Sequence, residues 1–419
     1  MARALADLVR IPTVNPYSGD PNPAGEAAGQ EWAERQMRRV GGRIEFLAVP
    51  PDVYRRGGVL GPRQRCWAGR RNVIGRFRFG AGTGPVIVLN AHMDTVGVSD
   101  YEGEPFSGRR DGDAIHGRGA SDCKGGVVAA LFALEALKAT RAPVNAEVVF
   151  ECVVDEECSG AGAGTLACCL SGIRGKYCLV LDGSYGELYT ACQGVATAEI
   201  TVSGRAAHGS SGGVSAVDKI LLAKAVLDRL AAERSRTQPG YMINVGALRA
   251  GLAPWTVPSH GWLTANINYS REEAVAAAAA GKGFCGALAR ERLEALLAEA
   301  AAADPWLREH PPQLLWVKDV PPFSSADSPS ASDLADLVAA ARESCRAAAG
   351  REPPVGSLHA WGDASHLALV GRMPVVGMGA GEPGTAHTAA EFNRVANVKA
   401  VAAAAALTIL RLAGGRGIG

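Results

Sequence analysis

Short apolar runs alternate with stretches of helical periodicity along both ends of the chain. Residues 86–89, Val-Ile-Val-Leu, have the length and composition of a buried strand in a sheet covered on both faces. Similar runs predict further strands at residues 44–49, 72–79, 148–154, 177–181 and 374–379. Apolar residues at helical spacing predict helices at residues 5–11, 25–40, 125–139, 165–170, 331–349 and 398–412. This order predicts an α/β unit with a mixed, mostly parallel sheet flanked by helices.

The pattern changes between these two ends. Strands are predicted at residues 195–202, 242–248, 262–269 and 314–319, with helices at residues 214–234 and 291–303. Their β-α-β-β-α-β order predicts a ferredoxin-like α+β domain, inserted into the first unit. The predicted division is therefore a discontinuous catalytic domain, residues 1–193 and 323–419, and an inserted domain, residues 194–322.

Polar residues of one chemical kind follow the predicted strands of the first unit. His92 and Asp94 come directly after the run at residues 86–89. Ligands bind at the carboxyl ends of strands in open α/β sheets, and a carboxylate two residues from an imidazole can orient a metal-ligating histidine. A single His-x-Asp is often an ordinary loop histidine, so the interpretation depends on whether the arrangement recurs.

The arrangement does recur, at two further strand ends, in a glycine-rich turn near the end of the chain, and before an apolar helix. The residues concerned are Asp155, Glu156, Glu157, Asp182, His387 and Asp122. Carboxylates gathered at one end of a sheet repel each other, and bound cations remove that cost. A set of imidazoles and carboxylates suits zinc, with cobalt or manganese as substitutes.

Four motifs carry a resemblance to a known family: H-M-D-T-V, G-R-G-A-S-D-C-K-G-G, D-E-E-C-S-G and G-T-A-H-T-A-A-E-F. In this order they resemble the M20 metallopeptidases, which include acetylornithine deacetylase, succinyl-diaminopimelate desuccinylase, aminoacylases and carboxypeptidases. The resemblance extends from residue 5 to about residue 410. It implies a dinuclear metal site whose first ion is held by His92, Asp122 and Asp182, and whose second is held by Asp122, Glu157 and His387.

The resemblance also implies roles for neighbouring residues. Asp94 would orient His92, Glu156 would act as general base, and the Asp122–Cys123 peptide bond would be cis. Cys123 stands where the family usually has Met, and we interpret it as a packing residue. His208, in G-R-A-A-H-G-S, would reach into the active site of a partner subunit and stabilise the oxyanion. The resemblance thus implies a homodimer in which the inserted domain is the lid and dimerisation domain.

Two departures from the family pattern concern substrate binding. Trp255 precedes Thr-Val-Pro where the family commonly has Asn, and Asn268 ends an Asn-Ile-Asn segment where the family commonly has Asp-Ile-Arg. An arginine there would clamp a substrate α-carboxylate, whereas an asparagine offers only neutral hydrogen bonds. Arg271 could bind the carboxylate instead, although we expect it to begin a loop. Asn244 is a further substrate-binding candidate. The sequence therefore predicts a substrate unlike acetylornithine, one that is bulkier or lacks a free α-carboxylate.

Composition limits the classes of partner. The 419 residues carry a formal net charge of +1, so a general attraction to nucleic acid or to an acidic membrane is not expected. The arginine-rich segment at residues 55–78 is interpreted as solvated surface. The N-terminus lacks the apolar core of a signal peptide, and we expect a cytoplasmic protein that does not depend on disulfides among its ten cysteines.

Three functions remain open at this stage. The first is a dinuclear zinc amidohydrolase that releases an acyl group from an N-acyl amino acid or a related small conjugate. The second is a dipeptidase or carboxypeptidase on the same scaffold. The third is a non-catalytic binding subunit, which the complete ligand set and Glu156 argue against, because a subunit without catalysis has no chemical need for a general base.

Overall fold

A computed structural model of the protein describes residues 1–158 and 160–414; residues 415–419, predicted to belong to the catalytic domain, lie outside this range. The strands are β1 (Arg43–Ala48), β2 (Arg71–Phe79), β3 (Val86–His92), β4 (Arg109–Asp111), β5 (Ala114–His116), β6 (Ala146–Val153), β7 (Tyr177–Val180), β8 (Leu188–Cys192), β9 (Gly194–Ser203), β10 (Ala207–His208), β11 (Ile243–Ala250), β12 (Thr256–Val257), β13 (His260–Tyr269), β14 (Gln313–Val320), β15 (Val355–Leu358), β16 (Val375–Gly377) and β17 (Phe392–Arg394). The α-helices are α1 (Ala2–Val9), α2 (Ala27–Arg39), α3 (Val53–Gly57), α4 (Gly125–Ala139), α5 (Ala163–Leu170), α6 (Ala216–Thr237), α7 (Arg271–Ala279), α8 (Ala287–Ala303), α9 (Pro305–Glu309), α10 (Ala331–Ala349), α11 (Ala364–Leu369) and α12 (Val395–Ala413).

The central sheet has the strand order β1-β2-β6-β3-β7-β16-β8-β15. Its inner strands β6, β3, β7 and β16 run parallel to one another, whereas β1 and β2 at one edge and β8 near the other form antiparallel pairs. The predicted mixed, mostly parallel sheet is therefore confirmed. Strand β8 and the edge strand β15 were not predicted, because each is short and carries no clear apolar alternation.

Both faces of this sheet are covered, as the apolar run at residues 86–89 predicts. Ile87 and Leu89 are buried in the core that contains α1, α2, α4, α10 and α12, whereas Val88 is buried in the opposite core, which contains α5 and α11. Helix α4 begins very close to the neighbouring strand end. A Cβ on Gly126 would lie 1.9 Å from the carbonyl oxygen of Leu181, so only glycine permits this approach.

The last helix, α12, is long and apolar enough to cross a membrane by length and composition alone. It lies instead against α4 and α10, and residues such as Val398 and Val401 are buried in the main core. A core helix of a large domain is apolar for the same reason as a membrane span, because its neighbours are apolar on several sides.

The inserted segment forms a separate antiparallel sheet with the order β11-β13-β9-β14. Helices α6 and α8 cover one of its faces, and the order β9, α6, β11, β13, α8, β14 is the predicted β-α-β-β-α-β arrangement. The limits of the insert, residues 194–322, stay a prediction. Arg271 does not begin a loop: it is the first residue of α7, whose start is fixed by a capping box between Ser270 and Glu273.

The insert contacts the central unit at the end of β14. Asp319 forms a bridge to Leu60, and the Ser365 hydroxyl donates to the carbonyl oxygen of Pro321 over 2.6 Å. The two sheets enclose a cleft of about 510 Å³ at the carboxyl ends of β3, β6 and β7. This is the position at which ligands bind in open α/β sheets.

One buried histidine predicts how stability responds to acid. His366 in α11 donates from Nε2 to the carbonyl oxygen of Ala161 over 2.7 Å, and burial lowers its pKa from 6.5 to about 4. Between pH 6.5 and pH 4, the imidazole of His366 therefore binds a proton in the unfolded chain but not in the folded chain. The contribution of neutral His366 is complete above pH 6.5 and is lost as the pH falls from 6.5 toward 4, to a limit of about 3 kcal/mol.

We therefore expect His366→Gln to flatten the fall in thermal midpoint between pH 7 and pH 4.5, measured by scanning calorimetry with metals chelated. The exposed residue His260 provides the matched control, and His260→Gln should leave the pH dependence as in the wild type. Parallel curves for wild type and His366→Gln would contradict this assignment.

Candidate metal centre

His92 ends β3 and is fixed by a hydrogen bond to the backbone. Its Nδ1–H donates to the carbonyl oxygen of Asp94 over 3.0 Å, whereas the Asp94 carboxylate lies 3.6 Å from the same nitrogen. Both the carbonyl and the carboxylate of Asp94 therefore lie beside this nitrogen, and the orienting role of Asp94 stays a prediction. With Nδ1 as donor, the lone pair of Nε2 faces the carboxylate of Asp122.

Asp122 lies between two imidazoles. One carboxylate oxygen, Oδ1, is 2.9 Å from Nε2 of His92, and the other, Oδ2, is 3.3 Å from Nε2 of His387. The Asp122–Cys123 peptide bond is cis, as the family resemblance implies. A neutral His92 presents an acceptor nitrogen to an acceptor oxygen, and such a contact is stable only with a proton or a cation between the two atoms.

Two more carboxylates complete the cluster. Nε2 of His387 lies 3.0 Å from Oε1 of Glu157, and Nε2 of His92 lies 4.0 Å from Oδ1 of Asp182. The structure thus brings together all five predicted metal ligands. Ligand atoms of His92, Asp122 and Glu157 lie within 4.8 Å of one another, a spacing that one ion can bridge.

Cys123 lies beside the cluster but is chemically different from it. Its sulfur could form a group with His92 and Asp182, and it lies 3.5 Å from the carbonyl oxygen of His92. Burial raises the pKa of the Cys123 thiol to about 12. Because the thiolate is the ligating form, this environment favours a packing role.

The charges of the cluster require a positive partner. The Glu157 carboxylate, together with Asp122, raises the pKa of His387 to about 12. Burial and the negative charge of Asp122 raise the pKa of Asp182 to about 7. The acidic groups therefore either retain protons or attract cations, which is the electrostatic setting of a metal site.

Glu156 and Glu157 are positioned by a shared acceptor below them. The Asp94 carboxylate accepts the backbone N–H of Glu156 over 3.2 Å and that of Glu157 over 3.0 Å. Asn15 donates to the same carboxylate over 2.7 Å. The side chains of both glutamates line the cleft, so Asp94 fixes the backbone from which they project.

Comparisons with known proteins agree with this geometry. The model of peptidase family M20/M25/M40 matches residues 88–411. The chain belongs to the M20 family. An N-formyl-4-amino-5-aminomethyl-2-methylpyrimidine deformylase of Halalkalibacterium halodurans is 31% identical over 55% of this chain and 56% of the relative. A succinyl-diaminopimelate desuccinylase of Bordetella avium is 27% identical over 49% of each chain, so this chain aligns with about half the length of these relatives.

The fold agrees over the whole length. The solved structure of the di-peptidase Dug1p from Saccharomyces cerevisiae superposes with a TM-score of 0.76 and 12% identity, over 99% of this chain and 96% of that one. The structural likeness supports the fold, and membership of the M20 family implies metal ions at the cluster of His, Asp and Glu residues.

Glu391, which the sequence analysis did not single out, holds the loop of Asp122 in this M20 protein. Its carboxylate accepts the backbone N–H groups of Gly119, Ser121 and Asp122 over 2.9–3.1 Å, and it accepts from Arg118 over 2.9 Å. The side chain is fully buried. The residue stands in the last quoted motif, G-T-A-H-T-A-A-E-F, four positions after His387, and that motif was the available signal.

A second buried network corrects the interpretation of the arginine-rich segment. Arg55 and Arg56 are exposed as predicted, but Arg70 is only 7% exposed. Its guanidinium donates to Oε2 of Glu26 over 2.9 Å and to Oδ1 of Asp155 over 2.8 Å. The arginine therefore supplies the positive charge that Asp155 requires directly beside the two glutamates of the site.

The predicted substrate-binding residues separate into two groups. Asn244 and Asn268 line the cleft together with Asn266. Trp255, His208 and Arg271 lie outside the cleft of the single chain. The guanidinium of Arg271 is bound by the Asp327 carboxylate over 2.6–3.1 Å, so its charge is already paired within the chain, and a role as the clamp stays a prediction.

The hydrogen bonds that Glu391 accepts from the loop of Asp122, which form the Glu391 clamp, predict that Glu391 contributes to metal affinity. Glu391→Gln replaces an acceptor-only carboxylate by an amide that cannot accept all four bonds, and we expect metal affinity to fall about 10- to 100-fold. Competition with a chromogenic chelator measures it, and the exposed Glu104→Gln is the control. Equal metal affinities for Glu391→Gln and wild type would show that the loop of Asp122 holds its shape without this clamp.

Proposed function

We propose that this protein is a dinuclear zinc amidohydrolase that removes a small acyl group, formyl in the first instance, from a neutral heteroaromatic amine without a free α-carboxylate. The observation that carries this proposal is the asparagine-lined lid of the cleft, with the nearby Arg271 bound to Asp327. The similarity to an enzyme named as an aminopyrimidine deformylase supports the acyl group and the kind of amine.

The residues present fit two ions. One ion would be held by His92, Asp122 and Asp182, and the other by Asp122, Glu157 and His387, because each oxygen of Asp122 faces a different imidazole. When bound, zinc would supply a water nucleophile at neutral pH and polarise the amide carbonyl. Cobalt or manganese would serve as substitutes.

Glu156 is proposed as the general base. It lines the cleft beside Glu157, and burial raises its pKa well above the usual value for glutamate. A carboxylate of raised pKa accepts a proton from the attacking water and can donate it to the nitrogen of the leaving amine. Asp94 fixes the backbone of Glu156, so the carboxylate is held in place while it transfers the proton.

The lid presents a defined pattern of neutral donors and acceptors. Thr197 donates to Oδ1 of Asn266 over 2.6 Å, which leaves the NH2 group of Asn266 as the donor for the cleft. Asn268 donates from Nδ2 to Gln193 over 2.7 Å, which leaves its carbonyl oxygen as the acceptor. One donor beside one acceptor complements a ring nitrogen and an exocyclic amine, the groups of an aminopyrimidine, better than it complements a carboxylate.

A homodimer would complete this site. His208 and Trp255 are neighbours on an exposed tip, where the backbone N–H of Gly209 bonds the carbonyl oxygen of Trp255 over 2.8 Å. Trp255 is 69% exposed, and Leu248 is exposed on β11, the outer strand of the inserted sheet. A second copy docked on that edge would cover these apolar side chains and bring His208 and Trp255 together into its partner's cleft.

The first prediction separates the base from the ligands. Glu156→Gln should retain both metals and lower kcat by about 10²- to 10⁴-fold, because the shape is kept and the proton acceptor is removed. Elemental analysis and steady-state kinetics measure the two effects, with Glu104→Gln as control. Loss of metal with unchanged activity per metal ion would mean that the roles of Glu156 and Glu157 are exchanged.

The second prediction concerns the substrate and is the test of the proposed function. Purified zinc enzyme is assayed with N-formyl aminomethylpyrimidines, N-formyl and N-acetyl amino acids, acetylornithine and dipeptides. We expect the highest kcat/KM for the N-formyl heteroaromatic amine, and Asn268→Ala should raise its KM. Highest kcat/KM for acetylornithine or a dipeptide would overturn the proposed substrate class and favour the deacetylase or dipeptidase alternative.

The third prediction concerns the partner subunit. His208→Ala and Glu156→Gln should each be inactive, and mixing them should restore part of the activity, because one hybrid site contains both native groups. Exchange of subunits is followed by native mass spectrometry, and a mixture of two His208→Ala preparations is the control. Full exchange with no recovery of activity would exclude a site shared between chains.

A further inference from the structure

A β-bulge determines where Lys318 points. In the pairing of β14 with β9, Trp316 lies opposite Ala198 and Lys318 lies opposite the next residue, Thr197, so Val317 is the extra residue. In a regular strand Trp316 and Lys318 would share one face. Trp316 faces the helices, since its indole donates to Glu294 of α8 over 2.8 Å. The extra residue therefore turns Lys318 to the opposite face, toward the cleft.

On that face Lys318 ends a polar row that crosses all four strands of the inserted sheet. Asn244 pairs with Asn266, Asn266 with Thr197, and Thr197 with Lys318. Three members of the row, Asn244, Asn266 and Lys318, line the cleft. Among the described residues of the cleft wall, Lys318 is the sole lysine or arginine.

The ammonium group reaches across the cleft to the other unit. Lys318 is 7% exposed, and its Nζ donates to the carbonyl oxygen of Gly160 over 2.8 Å. Burial lowers the pKa of Lys318, and the negative charge of Glu156 is the main influence that opposes this shift. The ammonium group therefore lies within the electrostatic reach of the Glu156 carboxylate as well as in contact with the loop behind it.

At its described residues, 155–158 and 160, that loop contains no helix or strand that would hold Glu156. Gly160 closes it tightly: its N–H donates to the carbonyl oxygen of Glu157 over 2.7 Å, and a Cβ on Gly160 would lie 2.4–2.9 Å from three backbone oxygens of residues 155–157. Groups from outside hold the loop at several points: Asn15 and Arg65 donate to the carbonyl oxygens of Glu157 and Cys158, and two further contacts lie toward its opposite ends. The Asp94 carboxylate accepts the N–H of Glu156, and Lys318 donates to Gly160.

We propose that Lys318 is a positioning residue that holds the loop of the general base Glu156 from the lid, so that the base is correctly placed only when the lid lies against it. The role of Glu156 in this statement rests on the proposed function. The hydrogen bond from Lys318 to Gly160 also explains why the cation does not conflict with a neutral substrate, because its charge is directed to a group of the protein.

The test compares Lys318→Met, which keeps the length and apolar stem of the side chain, with the exposed Lys282→Met in the same insert. We expect Lys318→Met to lower kcat about 10- to 100-fold, as misplacement of a catalytic group does, with KM changed less than about twofold. Zinc content and thermal midpoint should stay near the wild type. Lys318→Arg, which keeps charge and donors, should recover part of kcat.

A second readout does not depend on activity. Hydrogen exchange followed by mass spectrometry should show faster exchange at the amides of Glu156, Glu157 and Gly160 in Lys318→Met, and unchanged exchange in Lys282→Met. In Lys318→Ala, added methylammonium should restore part of kcat, and tetramethylammonium, which has no N–H donor, should not.

The outcomes distinguish the two proposals. Unchanged kcat and unchanged exchange in Lys318→Met would overturn the positioning role. So would a rise in KM confined to substrates with a carboxylate, which would make Lys318 a substrate-binding residue. If the wild type hydrolysed none of the amides, the proposed function would fail, while hydrogen exchange would still decide whether Lys318 holds the loop.

Discussion

Repulsion between carboxylates at the carboxyl end of the central sheet is the constraint that the surrounding structure satisfies. Asp122, Glu157 and Asp182 face the same two imidazoles, and Asp94 and Asp155 lie directly beneath the glutamates. Away from water such charges interact much more strongly than at a surface. The fold tolerates them because each of these five acidic groups has a compensating partner, of a kind that differs between the metal ligands and the groups beneath them.

The nature of that partner separates the roles of chemically similar groups. Asp94 is satisfied by N–H donors and Asp155 by the guanidinium of Arg70, so both are structural anions that need no metal. Asp122 and Glu157 face imidazole nitrogens. Glu156 differs from all of these, since no hydrogen bond to its carboxylate is found among the described residues. An acid without a fixed partner, in a cleft, is available to exchange a proton.

The sequence predicted the convergence of the metal ligands because a parallel sheet places its strand ends at one edge, so that His92 and Asp182 meet without knowledge of the loops. The buried partners were not predictable in the same way. Arg70 lies in an arginine-rich stretch, and local composition cannot show that Glu26 and Asp155 surround it. The direction of Lys318 depends on the single extra residue Val317, which breaks the two-residue period of a strand.

The incorrect expectation of a loop at Arg271 could have been avoided from the sequence. Ser270 and Glu273 form a capping box before an alanine-rich run, and this local signal predicts the helix that begins at Arg271. The exposed tip that carries His208 and Trp255 is a different case, because the groups opposite it belong to another molecule. A single sequence describes its own chain, and a site shared by two chains needs the arrangement of both.

The chain order of the ligands has a consequence for synthesis. His387 and Glu391 follow Asp182 by about 200 residues, which a ribosome adds in roughly 10 to 40 seconds. During that interval the early carboxylates are present, but the second imidazole and the Glu391 clamp are not. The inserted sheet, whose strands all precede His387, can fold first. A nascent chain therefore cannot assemble the complete ligand set before His387 and Glu391 have been synthesised, however early the central sheet forms.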